Sequence, residues 1–412
     1  MSSLAFKLSR GIINTITPPI PLAYTWAEKY TGKHGPLLDM SQGSPGNPPQ
    51  SALQSALSAA SISTDSFRYA NSSQGELVLR QAMAEEMCSD AVYGPGSDVT
   101  AEDLSLTAGC NMAFVATIMA LADAGDEVIL PVPWYFNHQM TLSMLNITTV
   151  PLETRPENGF IPSVAECRAL ITPKTRAIVL VTPNNPTGAI YSPGLIHSFF
   201  ALAHEHKIAL ILDETYRDFI TPPTPFPPHT LFANPTWRST LIHLFSFSKA
   251  YAIPGHRLGL VAASPSFQTP LTTVLDSLQI CAPRPIQLAL SQPGLLSSLR
   301  PGVVETACTL EKRRALFGRI LPRGWHVGSI GGYFAFVRHP FKGRNAVDVC
   351  RKLAEEVGVL VLPATFFRGG AGEASESWIR FSVANCDEEG IRGVYERLER
   401  CEEIPGWEIE TE

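Results

Sequence analysis

Ser246-Phe247-Ser248-Lys249-Ala250-Tyr251-Ala252-Ile253-Pro254-Gly255-His256-Arg257 is the stretch that decides the fold. It overlaps an apolar run, 241–247, that reads as a buried strand. That run carries two hydroxyls and a lysine to its C-terminal end. Arg257 stands eight residues after the lysine, just before a second strand-like run at 258–263. An unpaired ammonium at the end of a buried strand is costly, so such a lysine sheds its charge readily. A lysine of that kind suits Schiff-base chemistry with a carbonyl. Ser246, Ser248 and Arg257 add hydroxyl donors and a bidentate fork, which is how a phosphate is held. A lysine of this type beside a phosphate site points to pyridoxal 5′-phosphate (PLP). A surface lysine after a core strand would account for one isolated Ser-Lys pair, but the rest of the chain repeats the pattern.

Two further apolar runs, 176–181 and 208–212, end in polar groups: Asn185 after the first, Asp213 and Tyr216 after the second. In open parallel sheets, ligands sit at the carboxyl ends of strands. Asn185, Asp213, Ser246 and Lys249 all occupy such ends. A run at 127–130 leads to Tyr135, an aromatic suited to covering a flat ring, although core packing is the commoner role. The segment 104–114 reads as a strand, a small-residue turn and an apolar helix over 113–123. The amides of Cys110 and Asn111 then lie at a helix N-terminus, a ready anion site. Gly43 marks a turn where backbone can approach a ligand. Arg380, inside the strand-like run 378–384, calls for an anionic partner.

The remaining chain sets the frame. Residues 1–48 hold one short helical stretch and two proline clusters, and 50–90 read as helices joined by a loop carrying Tyr69. Five prolines in 222–228 read as a stiff surface connection near the predicted site. The pattern is helical from 264 to about 318, and 325–338 and 357–363 read as strands of an α+β tail. A chain of 412 residues with 17% charged and 45% hydrophobic residues forms more than one domain. The net charge of −6 gives no reason to expect a nucleic-acid partner. No apolar run reaches the roughly 18 residues of a membrane helix. The eight cysteines are scattered without a CxxC, which fits free thiols in a reducing compartment. Lys7, Arg10 and several serines precede Glu28, the first acidic residue, in a weak likeness of a transit peptide. Prolines 18, 19 and 21 interrupt it, and the expected location is cytoplasmic.

Taken together, Asn185-Pro186-Thr187-Gly188, Asp213-x-x-Tyr216, Ser246-x-Ser248-Lys249 with Arg257, and Arg380-x-Ser382-x-Ala384 resemble the class I/II aminotransferases, PLP enzymes of fold type I, over about 36–396. The resemblance implies that Lys249 carries the cofactor and moves the proton, and that Asp213 pairs with the pyridine nitrogen. It implies that Tyr216 and Asn185 hydrogen-bond the phenolic oxygen and that Tyr135 stacks on the ring. Cys110, Asn111, Ser246, Ser248 and Arg257 would hold the phosphate, joined by Tyr69 from the other subunit of a homodimer with shared sites. Arg380, with Asn185 and the Gly43 backbone, would clamp the substrate α-carboxylate.

Two departures stand out. The resemblance places Leu278 where aspartate-specific members carry an arginine that reaches the side-chain carboxylate from the partner subunit, with Arg284 six residues on and within reach of the site by a loop shift. Cys110 replaces the commoner Gly, Ala or Ser. The expected fold is α/β: a large PLP-binding domain over 49–300 with a mostly parallel sheet flanked by helices. A smaller α+β domain would be built from 1–48 and 301–412. The expected function is transamination between an α-amino acid, one with an uncharged side chain, and a 2-oxo acid. A PLP lyase carrying out carbon–sulfur β-elimination is the alternative, because the same residues serve both. A non-catalytic binding role is disfavoured by the retained lysine and aspartate.

Overall fold

The computed structural model describes residues 5–222, 224, 226–368, 377–403, 407 and 409. Its centre is a seven-stranded sheet in the order Leu104–Thr107, Gly259–Ala262, Leu241–Ser246, Ala209–Asp213, Thr175–Val181, Glu127–Val132, Thr148–Glu153. Gly259–Ala262 runs antiparallel to both neighbours, and every other pairing is parallel. The three central strands are continuous apolar runs because helices cover both of their faces. Side chains alternate between the faces. Ala177, Val179, Ile211 and Leu244 pack with Phe114, Ile118, Leu271 and Leu275 of helices Cys110–Leu121 and Pro265–Gln279. Ile178, Leu180, Leu210, Leu212 and Phe245 pack on the opposite side with helices Ser51–Ser61, Leu77–Met87, Pro193–His206 and Arg284–Leu290. Each such fully buried large apolar side chain contributes about 1.5–3 kcal/mol.

The C-terminal part forms a four-stranded antiparallel sheet, Leu362–Pro363, Trp378–Ser382, Phe334–Arg338, His326–Gly331. The N-terminal segment joins it through a two-stranded parallel pairing of Leu38–Asp39 with Val359–Leu360. Ser382 then donates its amide to Met40 at 2.8 Å, which brings residue 41 beside Arg380.

Several details differ from the expectations. The N-terminal region holds two helices, Arg10–Asn14 and Pro19–Ala27; Pro19 starts the second, where its missing N–H costs nothing. The helical stretch after 264 is three helices, ending in Leu295–Ile320. The strand 325–338 is two strands folded back at Gly332. Thr148–Glu153 has no clear strand signature, since it is a half-exposed edge strand containing Pro151, whose missing N–H suits an edge. Residues 223 and 225 of the proline-rich run lie outside the described residues. All eight cysteines are free. Among the described residues no helix is long and apolar enough to cross a membrane.

Arg397, on helix Glu388–Glu399, ties the N-terminal segment to the C-terminal sheet. Its guanidinium donates to the carbonyls of Gly358 at 2.7 Å, Val357 at 3.2 Å, His34 at 2.7 Å and Pro36 at 2.8 Å. Arg397→Met strands four carbonyls and should cost about 3 kcal/mol. The urea unfolding midpoint measures this. An unchanged midpoint would remove Arg397 from this role.

Candidate active site

The carboxyl ends of the central strands open on one cavity of about 450 Å³. Its walls include Gly43, Cys110, Asn111, Tyr135, Asn185, Asp213, Tyr216, Ser246, Ser248, Lys249, Arg257 and Arg380. Twelve of the thirteen residues singled out from the sequence therefore meet at one place. Tyr69 does not: its side chain is 70% exposed in the loop after the turn Thr64–Phe67.

Strand Leu241–Ser246 ends at Ser246, whose side chain caps the short helix Phe247–Ala250 by accepting from the Ser248 amide at 3.2 Å. The tight turn puts Lys249 over the strand ends, and its ammonium donates to the Gly43 carbonyl. Burial lowers Lys249 from the ordinary 10.5 to about 8, and the charges of Arg257 and Arg380 push the same way. Gly109 adopts a φ of +84° and precedes helix Cys110–Leu121; a Cβ there would collide with the Arg257 guanidinium. A Cβ on Gly259 would sit 2.7 Å from the Cys110 nitrogen. These two glycines let the helix N-terminus, the neighbouring strand and Arg257 converge.

Asp213 ends strand Ala209–Asp213 and is buried. Burial alone would raise its carboxyl, but its partners hold it below the usual carboxylate value. The His138 imidazole lies 3.3 Å from Oδ2, and Thr215 donates its amide at 3.0 Å and its hydroxyl at 2.7 Å to Oδ1. The Cys110 thiol approaches Oδ2 at 3.8 Å, so Cys110 meets the site with its side chain as well as its amide. Burial pushes that thiol well up, and the Asp213 charge adds to the effect, so it is a neutral donor. The Tyr135 hydroxyl donates to Asn111 at 3.2 Å, and burial raises it to about 12.

Arg380 sits in strand Trp378–Ser382 opposite Phe336 and Leu362. Its guanidinium lies between the rings of Phe334 and Phe367, at 4.7 and 4.8 Å. It donates to Asn185 Oδ1 at 2.9 Å and to the Ser41 carbonyl, and Nε has no partner among the described residues. Burial lowers it from 12.5 to about 10, still charged at neutral pH.

Arg284 is committed elsewhere, bonded to Glu76 and to backbone carbonyls of the Tyr69 loop, and Leu278 is 42% exposed. The loop shift that would have carried Arg284 into the site breaks those bonds. Sequence reasoning missed His138, Thr215 and Ser41. His138 lies on helix Phe136–Met144, its ring stacked on Phe114 at 3.9 Å. Its only sequence signal is its place three residues after Tyr135.

Comparison with known proteins agrees with this geometry. A model of the family described as aminotransferase class I and II matches residues 36–398. The aspartate/prephenate aminotransferase of Thermus thermophilus is 29% identical over 338 residues, 78% of this chain and 80% of that one. An aromatic aminotransferase of Arabidopsis thaliana is 27% identical over 334 residues, 78% and 79% of the two chains. A solved double mutant of the Thermus thermophilus aspartate aminotransferase superposes with a TM-score of 0.85 at 26% identity, over 96% of this chain and 99% of that one. The chain belongs to the class I and II aminotransferases, enzymes that carry PLP on a lysine.

Proposed function

We propose that this aminotransferase moves the amino group of an α-amino acid with an uncharged side chain to a 2-oxo acid, with the cofactor on Lys249. The observation that carries the reading is the meeting of Lys249, ionised Asp213 and desolvated Arg380 on one cavity. The donor set fits PLP: the amine of Lys249 for the aldehyde and the carboxylate of Asp213 for the ring nitrogen. Tyr216 and Asn185 would meet the phenolic oxygen, and Tyr135 the ring face. Ser246, Ser248, Arg257 and the amides of Cys110 and Asn111 would take the phosphate. When bound, PLP supplies an electron sink for the charge left on Cα after a proton departs. Asp213 favours a protonated ring nitrogen, and His138 and Thr215 keep Asp213 ionised. Lys249, neutral in part near pH 8, takes the Cα proton and returns it.

Arg380 orients the substrate by its α-carboxylate, because its flanking rings leave only the guanidinium edge for a bidentate partner. The other cations among the described cavity residues, Lys249 and Arg257, already have roles. The cavity is also lined by Pro18, Ile20, Gln42, Phe136 and Asn137, and none of these carries a charge. A second carboxylate buried there unpaired would cost several kcal/mol. The elimination reading draws no support from the relatives, which are named as aminotransferases.

We read the active unit as a homodimer with shared sites. Ile62, Phe67 and Tyr69 stand 83%, 79% and 70% exposed within eight residues, an apolar surface that a second copy would cover. Tyr69 would then reach the partner subunit's phosphate site. We also keep the division into a large domain, 49–300, and a smaller one from 1–48 and 301–412. A cytoplasmic location is consistent with the unpaired cysteines.

A panel of single amino acids mixed with the holoenzyme tests the function. Uncharged donors should release one equivalent of 2-oxo acid per subunit and then stop until an acceptor 2-oxo acid is added. Continuous release of ammonia would establish elimination, and turnover of aspartate as fast as the best uncharged donor would sink the specificity. A second measurement addresses Lys249 in the cofactor-free protein. Only the neutral amine acylates, so its labelling should rise with pH and level off above about pH 8. Labelling that climbs steadily to pH 10 would mean an ordinary lysine. Lys249→Ala should retain cofactor affinity to within about tenfold, yet lose turnover by several orders of magnitude.

A further inference from the structure

Residues 65–76 form a loop whose backbone is fastened while its aromatic side chains stand in solvent. Ser73 bonds Asp276 at 2.7 Å and Gln74 accepts the Leu106 amide at 2.8 Å, and the rest of the fastening comes from one face of helix Arg284–Leu290. Arg284 Nε donates to Glu76 Oε1 at 2.6 Å, and Nη1 reaches the carbonyls of Asp65 at 2.9 Å, Tyr69 at 3.0 Å and Arg68 at 3.4 Å. One turn along, Gln287 accepts the Glu76 amide at 2.8 Å and is itself held by the Ala282 carbonyl at 2.7 Å. Gly75, at a φ of +92°, allows that approach; a Cβ there would lie 2.6 Å from Gln287 Oε1. The Arg284 side chain is 11% exposed, against 70% for Tyr69. Carbonyls of a surface loop are ordinarily left to water. Here a planar cation gathers three of them and one carboxylate, an arrangement that a flexible ammonium cannot reproduce.

We propose that Arg284 is a positioning residue that presets the Tyr69 loop for the partner subunit's cofactor site. The inference rests on the homodimer reading above. Ordering a loop during association costs free energy that a preformed loop does not spend, so the clamp strengthens both dimerisation and cofactor retention. It also separates Arg284 from substrate recognition: its effect passes through Tyr69 and is indifferent to the amino donor.

A double-mutant cycle on the full-length enzyme tests this, reading the PLP dissociation constant by reconstitution of cofactor-free protein and the subunit equilibrium by sedimentation. Tyr69→Phe should weaken PLP binding by about 10- to 100-fold, the range for a lost hydrogen bond to a charged group. Arg284→Met should weaken it about tenfold and loosen the dimer, and Arg284→Lys should do nearly the same. The double variant should lie within about twofold of Tyr69→Phe alone, because coupled residues are non-additive. KM values for charged and uncharged donors should shift together. If Arg284→Met does not fold, Arg284→Lys and Glu76→Ala, which removes the carboxylate that anchors the guanidinium, carry the same comparison. Multiplicative losses in the double variant would overturn the proposal, as would a defect confined to dicarboxylic donors, which would make Arg284 a substrate receptor. Loss in Tyr69→Phe with none in the Arg284 variants would refute the clamp alone. No loss in Tyr69→Phe would overturn the cross-subunit reading and the clamp with it.

Discussion

A carboxylate kept ionised out of water, at the end of a buried strand, is the constraint on which the site depends. Transfer of a lone carboxylate into a protein interior is so costly that the group ordinarily takes up a proton. Asp213 avoids this through His138 and the two donors of Thr215, and burial and hydrogen bonding together leave its affinity for protons below normal. The fold supplies those partners cheaply. Thr215 follows two residues on in the chain, and His138 arrives on the helix that follows strand Glu127–Val132, two strands away in the sheet. Phe114 stacks on the imidazole, and His138 and Asp213 are buried together.

The other two charges obey the same principle in different ways. Among the described residues Lys249 has no carboxylate partner, so burial acts against its charge and makes a proton easy to lose near neutrality. Arg380 cannot lose its proton in that range, and its ring neighbours hold it as a flat cation awaiting an anion. Ser41 and Asn185 occupy part of its fork, and Ser41 is there because Leu38–Asp39 pairs with Val359–Leu360. The place of the Arg380 guanidinium is thereby tied to the pairing of the N-terminal segment with the C-terminal part.

Much of this was legible in the residues. Continuous apolar runs ending in Asp213, Ser246 and Asn185 announce a parallel sheet with a ligand at its carboxyl edge, and the strand arginine announces an anion. The unreadable parts share a physical cause: they depend on contacts between elements distant in sequence. Phe334, Phe367 and Arg380 lie on three separate elements, so no local pattern marks the sandwich. His138 sits inside a helix, where a histidine reads as ordinary packing. Thr148–Glu153 lacks an apolar run because one of its sides is an open edge. Arg284 was visible as a stray cation near the site, but only the fold shows that loop carbonyls consume its donors.

Carboxyl carbon NMR of selectively labelled, cofactor-free protein reads the charge of Asp213 directly. In the wild type Asp213 should titrate below the ordinary value of about 3.9. His138→Phe, which keeps the ring and removes the donor, should raise it. The direction follows from burial, which favours the neutral acid once the imidazole is gone. A wild-type Asp213 that titrates at or above the ordinary value, or one indifferent to loss of the imidazole, would show that these partners do not keep it ionised.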